Sequence, residues 1–471
     1  MGGCLRVEGL EAKEGEKKVL SDLSFSLPAS SVTVLLGKNG SGKTTLLKVL
    51  CGEKEKSAGR VIFPSPSFSL AFVPQNPSSS MLGGCLREEM EIWGAEDLQV
   101  FDVLAFLGIS HLLDRPFSSL SRGQVEICAL ACALCQSPDL VLLDEPLSPL
   151  DAISKRHLSS LISSLNSELG ISFFIAEHDL EGLLSLSPRI LALERGKESA
   201  FGEAKEAMED LWKKGERDLI PDFQKLYLSH GFPPPLTLKD ASSLPLSLPP
   251  RLPKEEEGGR KEEAIRVSHL SFAWPSSPSL DIFDLSFSAF FGESLALVGE
   301  NGSGKSTLLS LLSGLKKPKF GRVWRKEKRE IFFLPQDPLP LLALEEGKSL
   351  GKEELLPLSS GERQKKADLL ALESGKKVIL LDEPGQNLDS SVRMQVGEKI
   401  RQRAQKGDLV IFSTHDPAFC ASFADRALCL LKGKKAFLGS SRDLVGGRTF
   451  FTTPFNRAFP HKNILTLKDC L

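Results

Sequence analysis

GKNGSGKTTLL at residues 37–47 follows the apolar run VTVLL and precedes a segment with helical periodicity, and GENGSGKSTLL at residues 299–309 stands in the same context. Glycines at these spacings let backbone N–H groups turn toward phosphate oxygens, and the following helix contributes the positive end of its dipole. The lysine of this pattern reaches the terminal phosphates, and the hydroxyl residue after it ligates Mg²⁺. The segments predict two phosphate-binding loops, formed by Gly37, Asn39, Gly40, Ser41, Gly42, Lys43, Thr44 and Thr45 and by Gly299, Asn301, Gly302, Ser303, Gly304, Lys305, Ser306 and Thr307.

The loops belong to an internal repeat that spans most of the 471 residues. LVLLDEP at residues 140–146 returns as VILLDEP at residues 378–384. The matched residues Gln75 and Gln336 are 261 positions apart, whereas the matched residues Ser121 and Ser359 are only 238 positions apart. The second copy is therefore about 23 residues shorter between these two points. A segment rich in Pro, Ser and charge separates the copies and is typical of a solvated connector. We predict a first domain at residues 1–240, a linker at 241–262 and a second domain at 263–471.

Composition narrows the class of protein. Lys and Arg total 59 against 61 Asp and Glu, a formal net charge of −2 that offers no electrostatic attraction for nucleic acid. The apolar runs fall short of the roughly 18 to 20 residues that cross a bilayer. Each copy alternates short apolar runs with longer helical segments, which predicts an α/β fold with a covered parallel sheet. Cys128, Cys132 and Cys135 share one helical face, and we interpret them as buried apolar filler rather than a metal site.

Both LLDEP segments end an apolar strand in two carboxylates. Ligands of open α/β sheets bind at the carboxyl ends of the strands, so we expect these carboxylates to face the phosphate loops. Asp144 and Asp382 are the predicted Mg²⁺ ligands, and Glu145 and Glu383 are the predicted general bases that deprotonate the attacking water. The alternative, an ordinary acidic pair meeting solvent, is disfavoured by the phosphate loops upstream.

These motifs together resemble two ABC-type nucleotide-binding domains in tandem. The family's signature segment corresponds to LSRGQ at residues 120–124 and LSSGE at residues 358–362. The resemblance implies that Ser121, Gly123, Ser359 and Gly361 contact the γ-phosphate of an ATP held by the opposite domain, in a dimer-like pairing of the two domains. It also implies a mostly parallel sheet, an antiparallel β subdomain and a helical subdomain in each P-loop NTPase domain, the last shortened in the second copy.

Further site residues follow from this resemblance alone. Gln75 and Gln336 match the family's Q-loop glutamine near Mg²⁺, and His178 and His415 match its switch histidine, which positions the water. Trp274 matches the aromatic on which adenine stacks, whereas Glu14 stands at that place in the first copy. In isolation such residues are more often surface or packing residues. We expect weaker ATP binding at the Lys43 loop than at the Lys305 loop because base stacking is lost there.

Within the family, the chain resembles the ATP-binding subunits of energy-coupling factor transporters, which import vitamins and metal ions. The supporting segments are FVPQNPSSSMLGGCLREEM, HLLDRPFSSLSRGQ and the LTLKD sequence after each domain. This resemblance implies ATP and Mg²⁺ as cofactors, membrane-embedded coupling and substrate-binding subunits as partners, and a cytoplasmic location on the inner face of the cell membrane. A tandem ABC ATPase acting on ribosomes is the main alternative, and a regulatory or DNA-repair ATPase is a third.

Overall fold

The computed structural model describes residues 5–148, 150–246, 248–250, 262–275, 280–338, 360–386, 388–447, 449 and 451–470. Contacts within the chain divide it into two units, residues 1–244 and residues 245–471. Each unit carries one phosphate loop and one LLDEP segment, so each is a complete copy of the repeat.

The first unit is built from two sheets and surrounding helices. Its strands are β1 (Leu5–Glu14), β2 (Lys17–Leu27), β3 (Val32–Gly37), β4 (Ala58–Ile62), β5 (Leu70–Val73), β6 (Leu140–Asp144), β7 (Ser172–Glu177), β8 (Arg189–Glu194) and β9 (Lys197–Glu203). Its helices are α1 (Lys43–Leu50), α2 (Leu86–Ile92), α3 (Asp97–Leu107), α4 (Arg122–Leu134), α5 (Ala152–Leu169), α6 (Ala204–Lys214), α7 (Asp222–Ser229) and α8 (Leu238–Ser243).

The larger sheet has the strand order β5-β6-β7-β3-β8-β9, and only β9 runs antiparallel to its neighbour. Strand β3 is buried along its whole length: Val34 and Leu36 pack into one apolar cluster, and Leu35 packs into another on the opposite face. Burial on both faces explains the unbroken apolar run, because helices cover one side and the antiparallel sheet β2-β1-β4 covers the other. Helices α2, α3 and α4 form the helical subdomain.

The second unit repeats this arrangement. Its strands are β10 (Glu263–Phe272), β11 (Ile282–Phe290), β12 (Glu293–Val298), β13 (Phe320–Arg325), β14 (Ile331–Leu334), β15 (Val378–Leu381), β16 (Leu409–Thr414), β17 (Arg426–Leu431) and β18 (Lys434–Ser440). Its helices are α9 (Lys305–Ser313), α10 (Ser360–Glu373), α11 (Ser390–Gln405), α12 (Pro417–Phe423), α13 (Ser441–Gly446) and α14 (Pro454–Ala458). The sheet orders are β11-β10-β13 and β14-β15-β16-β12-β17-β18, which match the first unit strand for strand.

The α/β fold predicted from the repeat is confirmed. Both units have a mostly parallel sheet and an antiparallel β subdomain, and the first has a helical subdomain. The region in which the second copy is shorter falls largely on residues 339–359, outside the described residues. Helix α8 continues past residue 240, and its Ala241 is buried.

The LTLKD sequence closes each unit. In the second unit Asp469 accepts backbone N–H groups from Leu465 at 2.8 Å and Thr466 at 3.1 Å, and its Oδ2 lies 2.9 Å from Arg442 Nη2. The matched pair in the first unit is looser, because Lys205 Nζ lies 3.9 Å from Asp240 and both side chains are partly exposed. The same tail is therefore fastened through a buried aspartate in one unit and through a partly exposed one in the other.

We expect Asp469→Ala to lower the free energy of unfolding by about 3 kcal/mol, because it removes a buried carboxylate that accepts two backbone N–H groups and pairs with Arg442. The matched variant Asp240→Ala removes a solvated partner and should cost about 1 kcal/mol. Urea denaturation of the full chain, followed by circular dichroism, measures both values. Equal losses in the two variants would contradict the difference between the ion pairs.

Candidate active site

The phosphate loop of the first unit has a conformation that only glycine adopts readily. Gly40 and Gly42 have φ angles of 76° and 104°, in the left-handed region. A Cβ on Gly37 would lie 2.4 Å from Ser41 Oγ and 2.8 Å from a backbone oxygen, so a side chain there would close the loop. Lys43 Nζ donates to the backbone oxygen of Gly37 at 2.7 Å, which holds the ammonium group across the loop. The chain is shaped here to surround an anion.

The second phosphate loop is built in the same way. Gly302 and Gly304 have φ angles of 77° and 100°, and a Cβ on Gly299 would lie 2.6 Å from Ser303 Oγ. Lys305 Nζ donates to the backbone oxygens of Gly299 at 2.8 Å and Glu300 at 3.0 Å. Both predicted loops therefore stand at a strand-to-helix junction with the lysine drawn inside.

Polar atoms at the loops are suited to phosphate and Mg²⁺. The Thr44 hydroxyl hydrogen-bonds the Asp144 carboxylate, and the Ser306 hydroxyl hydrogen-bonds the Asp382 carboxylate. Within the part of the chain that the structure describes, Asp144 Oδ1, Ser41 Oγ and Ser303 Oγ are buried with no hydrogen-bond partner. Unpartnered buried oxygens are costly unless a ligand satisfies them, and hydroxyl and carboxylate oxygens are the ligands that Mg²⁺ prefers.

Burial also sets the charge of these aspartates. It raises the pKa of Asp144 to about 6, against a lowering contribution from the Thr44 hydrogen bond. Burial raises the pKa of Asp382 in the same way. A cation bound at this position would favour the ionised carboxylates, which agrees with the predicted metal-ligand role.

The predicted general base of the first unit lies beside the loop lysine. Glu145 has φ of 51°, and its backbone N–H donates to the oxygen of Ala176 at 2.9 Å. Glu145 Oε1 lies 3.5 Å from Lys43 Nζ, and Oε2 accepts a hydrogen bond from Gln75 Nε2 at 2.9 Å. The structure thus brings Lys43, Gln75 and Glu145 together.

His178 completes this group from the neighbouring strand end. Its Nδ1 lies 3.4 Å from the hydroxyl of Ser148 and 3.8 Å from Glu177 Oε2. Burial lowers the pKa of His178, although the nearby carboxylates oppose the shift. A lowered pKa favours a neutral imidazole near pH 7, which can orient a water molecule without adding charge.

The second unit connects the same residue types differently. Glu383 has φ of 53°, and its N–H donates to Ser413 Oγ at 2.7 Å, while that hydroxyl donates to Asp382 at 2.7 Å. His415 Nδ1 lies 2.9 Å from Glu383 Oε2, so here the histidine contacts the predicted base directly. Gln336 Nε2 instead donates to Gln386 Oε1 at 3.1 Å.

The first signature segment caps helix α4. Ser121 Oγ accepts the N–H of Gln124 at 3.3 Å, and Gln124 Oε1 accepts the N–H of Ser121 at 2.9 Å, which is a reciprocal capping box. A Cβ on Gly123 would lie 3.2 Å from Ser154 Oγ, so glycine permits close packing against α5. In the second unit Gly361 lies in the first turn of α10, whereas Ser359 lies outside the described residues.

Trp274 is held next to the second phosphate loop. Its Nε1 donates to Thr307 Oγ1 at 3.3 Å, and Lys316 Nζ lies 4.8 Å from the centre of its ring. In the first unit the lysine at the matched position, Lys54, lies 3.7 Å from Glu14 Oε1. A charged pair thus occupies the place of the aromatic platform.

Sequence reasoning missed three buried carboxylates near these sites, namely Glu126, Glu177 and Asp368. Glu177 directly precedes His178 in IAEHD, and an acidic residue at the end of an apolar strand was the available signal. Glu126 and Asp368 each interrupt the apolar face of a helix, which is costly without a partner.

Two negative findings concern only the described residues. None of their helices is both long and apolar enough to cross a membrane. Among the same residues no group of three or more His, Cys, Asp or Glu side chains could hold a metal ion, and Cys128, Cys132 and Cys135 are buried. Burial raises the pKa of the Cys128 thiol to about 12, as expected of an inert packing residue.

Comparison with known proteins identifies the family. A family model described as ABC transporter matches residues 20–148 and 282–346. The zinc import ATP-binding protein ZnuC of Halorhodospira halophila is 33% identical over 228 residues, which are 48% of this chain and 84% of that protein. YkoD of Bacillus subtilis, whose name assigns it to HMP/thiamine import as an ATP-binding protein, is 29% identical over 501 residues, 93% of this chain and 91% of that protein.

A solved structure extends the likeness to the fold of both units. The archaeal ribosome recycling factor aABCE1, in complex with the ribosomal stalk protein aP1, matches with a TM-score of 0.63 at 22% identity, over 91% of this chain and 88% of that chain. At this identity the likeness shows a shared fold. The duplicated phosphate loops, the LLDEP segments and the ZnuC match together show that the chain belongs to the tandem ABC ATPase family.

Proposed function

We propose that this ATPase drives the import of a vitamin or metal ion as the peripheral subunit of an energy-coupling factor transporter, on the inner face of the cell membrane. Its partners would be a multi-span coupling subunit and a substrate-binding subunit. Two relatives with import in their names support this direction of transport: ZnuC, named for zinc, and YkoD, named for HMP and thiamine.

The observation that carries the proposal is an apolar surface on the first helical subdomain, here termed the α2–α3 patch. It consists of Leu82, Ile92, Trp93, Leu98 and Phe101, and these side chains are exposed by 78%, 53%, 55%, 71% and 68%. Five large apolar side chains exposed within twenty residues indicate a surface that another protein covers. The patch follows the Q-loop residue Gln75 closely in the chain, which links the surface to the active site.

The α2–α3 patch is held in place by a buried carboxylate. Glu89 Oε2 accepts the backbone N–H groups of Leu82 and Gly83, both at 2.7 Å, and Glu89 Oε1 accepts Trp93 Nε1 at 3.0 Å. Apolar side chains that are exposed on a rigid support suit a short apolar helix of a membrane subunit. Apolar side chains on an irregular surface loop would suit such a helix less well. We therefore assign the patch to the coupling helix of such a subunit.

The proposed chemistry uses positioning and electrostatics. The lysines Lys43 and Lys305 and the loop N–H groups bind the terminal phosphates, and the signature residues Ser121, Gly123, Ser359 and Gly361 also contact the γ-phosphate. Thr44, Gln75 and Asp144 in the first unit, and Ser306, Gln336 and Asp382 in the second, would hold Mg²⁺, which would neutralise phosphate charge. Glu145 and Glu383 accept a proton from the attacking water, which His178 and His415 orient.

A ribosome-acting ATPase is the competing proposal, because the fold also matches a ribosome recycling factor. The net charge of −2 gives no overall attraction for ribosomal RNA.

Substitution of residues in the α2–α3 patch distinguishes the transport proposal from the ribosome proposal. We expect Leu98→Ser with Phe101→Ser to remove the chain from detergent-solubilised complexes that contain a multi-span subunit identified by mass spectrometry. Leu315→Ser with Phe320→Ser, exposed by 71% and 61% in the second unit, is the matched control and should stay bound. Recovery of the chain with ribosomes, with no membrane subunit present, would overturn the transport proposal.

Glu145→Gln and Glu383→Gln should each lower ATP turnover at their own site by about 10² to 10⁴, because an amide cannot accept the proton. ATP affinity should stay close to that of the parent chain, since neither change removes a phosphate contact. Phosphate release and equilibrium ATP binding measure the two effects. Full hydrolysis in the double variant would show that these glutamates are not the bases.

Trp274→Ala should weaken ATP binding by about 5-fold to 150-fold, the loss expected for one stacked base. The measurement is made in a Lys43→Ala background, so that the Lys305 loop dominates binding. In the reciprocal Lys305→Ala background, Glu14→Trp should tighten binding at the Lys43 loop. Equal ATP affinities of Lys43→Ala and Lys305→Ala would remove the claim that the two loops differ.

A further inference from the structure

Both units hold the turn after the predicted base with a buried carboxylate. In the first unit the backbone N–H of Leu147 donates to Glu177 Oε1 at 2.8 Å. In the second unit the N–H of Gly385 donates to Asp368 Oδ2 at 2.9 Å. Leu147 and Gly385 are matched residues, each two positions after the glutamate of its LLDEP segment. The same backbone bond is therefore made in both copies.

The two carboxylates come from different elements of the fold. Glu177 ends strand β7, whereas Asp368 lies in helix α10. Strand register places Thr414 where the first unit has Glu177, since Leu36 pairs with one and the matched Val298 pairs with the other. The spacing of 238 likewise places Leu130 where the second unit has Asp368. Each unit lacks an acid at the position that the other uses and supplies its own from a second position.

The bond stabilises a strained stretch of backbone. Glu145 and Glu383 have φ angles of 51° and 53°, which non-glycine residues rarely adopt unless the surroundings enforce them. A carboxylate that accepts the N–H two residues later holds the turn from the interior of the unit. Glu177 is 2% exposed and Asp368 is 0% exposed, so neither is replaced readily by water.

In the second unit the carboxylate also connects the turn to the helix that follows the signature segment. Asp368 is itself on that helix, and Gln364, five residues after Ser359, donates Nε2 to Asp368 Oδ1 at 3.0 Å. In the first unit the matched residue is Glu126, which is also buried; burial raises its pKa, and the charge of Glu177 adds to that shift.

We propose that Glu177 and Asp368 are positioning residues for ATP hydrolysis, each of which fixes the turn that presents the catalytic glutamate of its own unit; Asp368 also ties that turn to the signature helix. The proposal rests on the assignment of Glu145 and Glu383 as general bases, which the glutamate-to-glutamine variants test separately. Neither carboxylate is required to touch the nucleotide.

The two units carry different residues at the position of Asp368, and this difference provides the test. In a Glu145→Gln background only Glu383 remains as a base, and Asp368→Leu introduces the residue of the first unit. We expect kcat to fall by about 10-fold to 10²-fold, since small displacements of a catalytic group have effects of this size. The KM for ATP should change by less than about 2-fold, because the phosphate loop is untouched.

Two further variants distinguish positioning from a general loss of structure. Asp368→Asn keeps an oxygen that accepts the Gly385 N–H and should recover a large part of kcat. Asp368→Leu with Thr414→Glu rebuilds the arrangement of the first unit and should also recover activity. An unchanged kcat in Asp368→Leu would overturn the proposal. The proposal would also be overturned if Asp368→Leu folds but kcat is recovered neither by Asp368→Asn nor by the added Thr414→Glu.

The first unit gives an independent test that does not rely on the folding of Asp368→Leu. In a Glu383→Gln background, Glu177→Thr introduces the second unit's residue and should lower kcat by about 10-fold to 10²-fold. Glu177→Gln retains the acceptor for Leu147 and should stay closer to the parent. Equal kcat values for the threonine and glutamine variants would contradict a role for this hydrogen bond.

The burial of Glu126 and Glu177 predicts a pH-dependent stability. Burial raises the pKa of Glu126 and of Glu177 to about 8 from an ordinary value of 4.5. Between these pH values the folded chain keeps protons that the unfolded chain releases, so stability falls as pH rises through this window. Glu145 adds to the effect on Glu177, whereas Lys155 and Lys43 oppose it.

Glu126→Gln introduces the residue of the second unit and should remove part of the loss of stability that accompanies rising pH. We expect its melting temperature to exceed that of the parent chain by more at pH 8 than at pH 5. Gln364→Glu in the second unit should have the opposite dependence, because it places a carboxylate beside Asp368. A difference between Glu126→Gln and the parent that is the same at both pH values would overturn the interpretation of Glu126 as a buried carboxyl group that keeps its proton in the folded chain.

Discussion

The active site of each unit depends on the parallel alignment of three buried strands. In the first unit β3 lies between β7 and β8, and β6 lies beside β7 with Asp144 level with Ala176. This register brings the phosphate loop, the LLDEP carboxylates and the switch histidine to one edge of the sheet, as open α/β sheets do. Apolar burial on both faces fixes the register, because no residue of β3 can turn toward solvent without exposing apolar surface.

The two copies keep the same chemical groups while connecting them differently. Glu145 contacts Gln75 and Lys43, whereas Glu383 contacts His415. Such changes are tolerated because the backbone frame stays constant, and side-chain hydrogen bonds can be exchanged between neighbouring elements. The replacement of the buried anchor, from a strand in one unit to a helix in the other, follows the same rule.

The sequence predicts the fold and the conformation of the two glycine-rich loops well because glycine spacing and apolar runs are local signals. Gly42 and Gly304 must adopt positive φ, and the pattern contains that requirement directly. The contacts of the functional side chains were less accessible. Gln75 bonds Glu145, whereas Gln336 bonds Gln386. This difference depends on side-chain packing among several elements, which periodicity does not encode. Glu177 gives only a weak separate signal in the sequence, because the adjacent His178 already accounts for a polar residue at the end of this strand.

The capping box at Ser121 leaves its hydroxyl proton available. One lone pair of Ser121 Oγ is engaged by the Gln124 N–H, which leaves the proton and a second lone pair for a partner outside the helix. The hydroxyl can therefore donate to a deprotonated phosphoryl oxygen without breaking the cap. Capping of the helix and contact with an anion are thus compatible at the same serine.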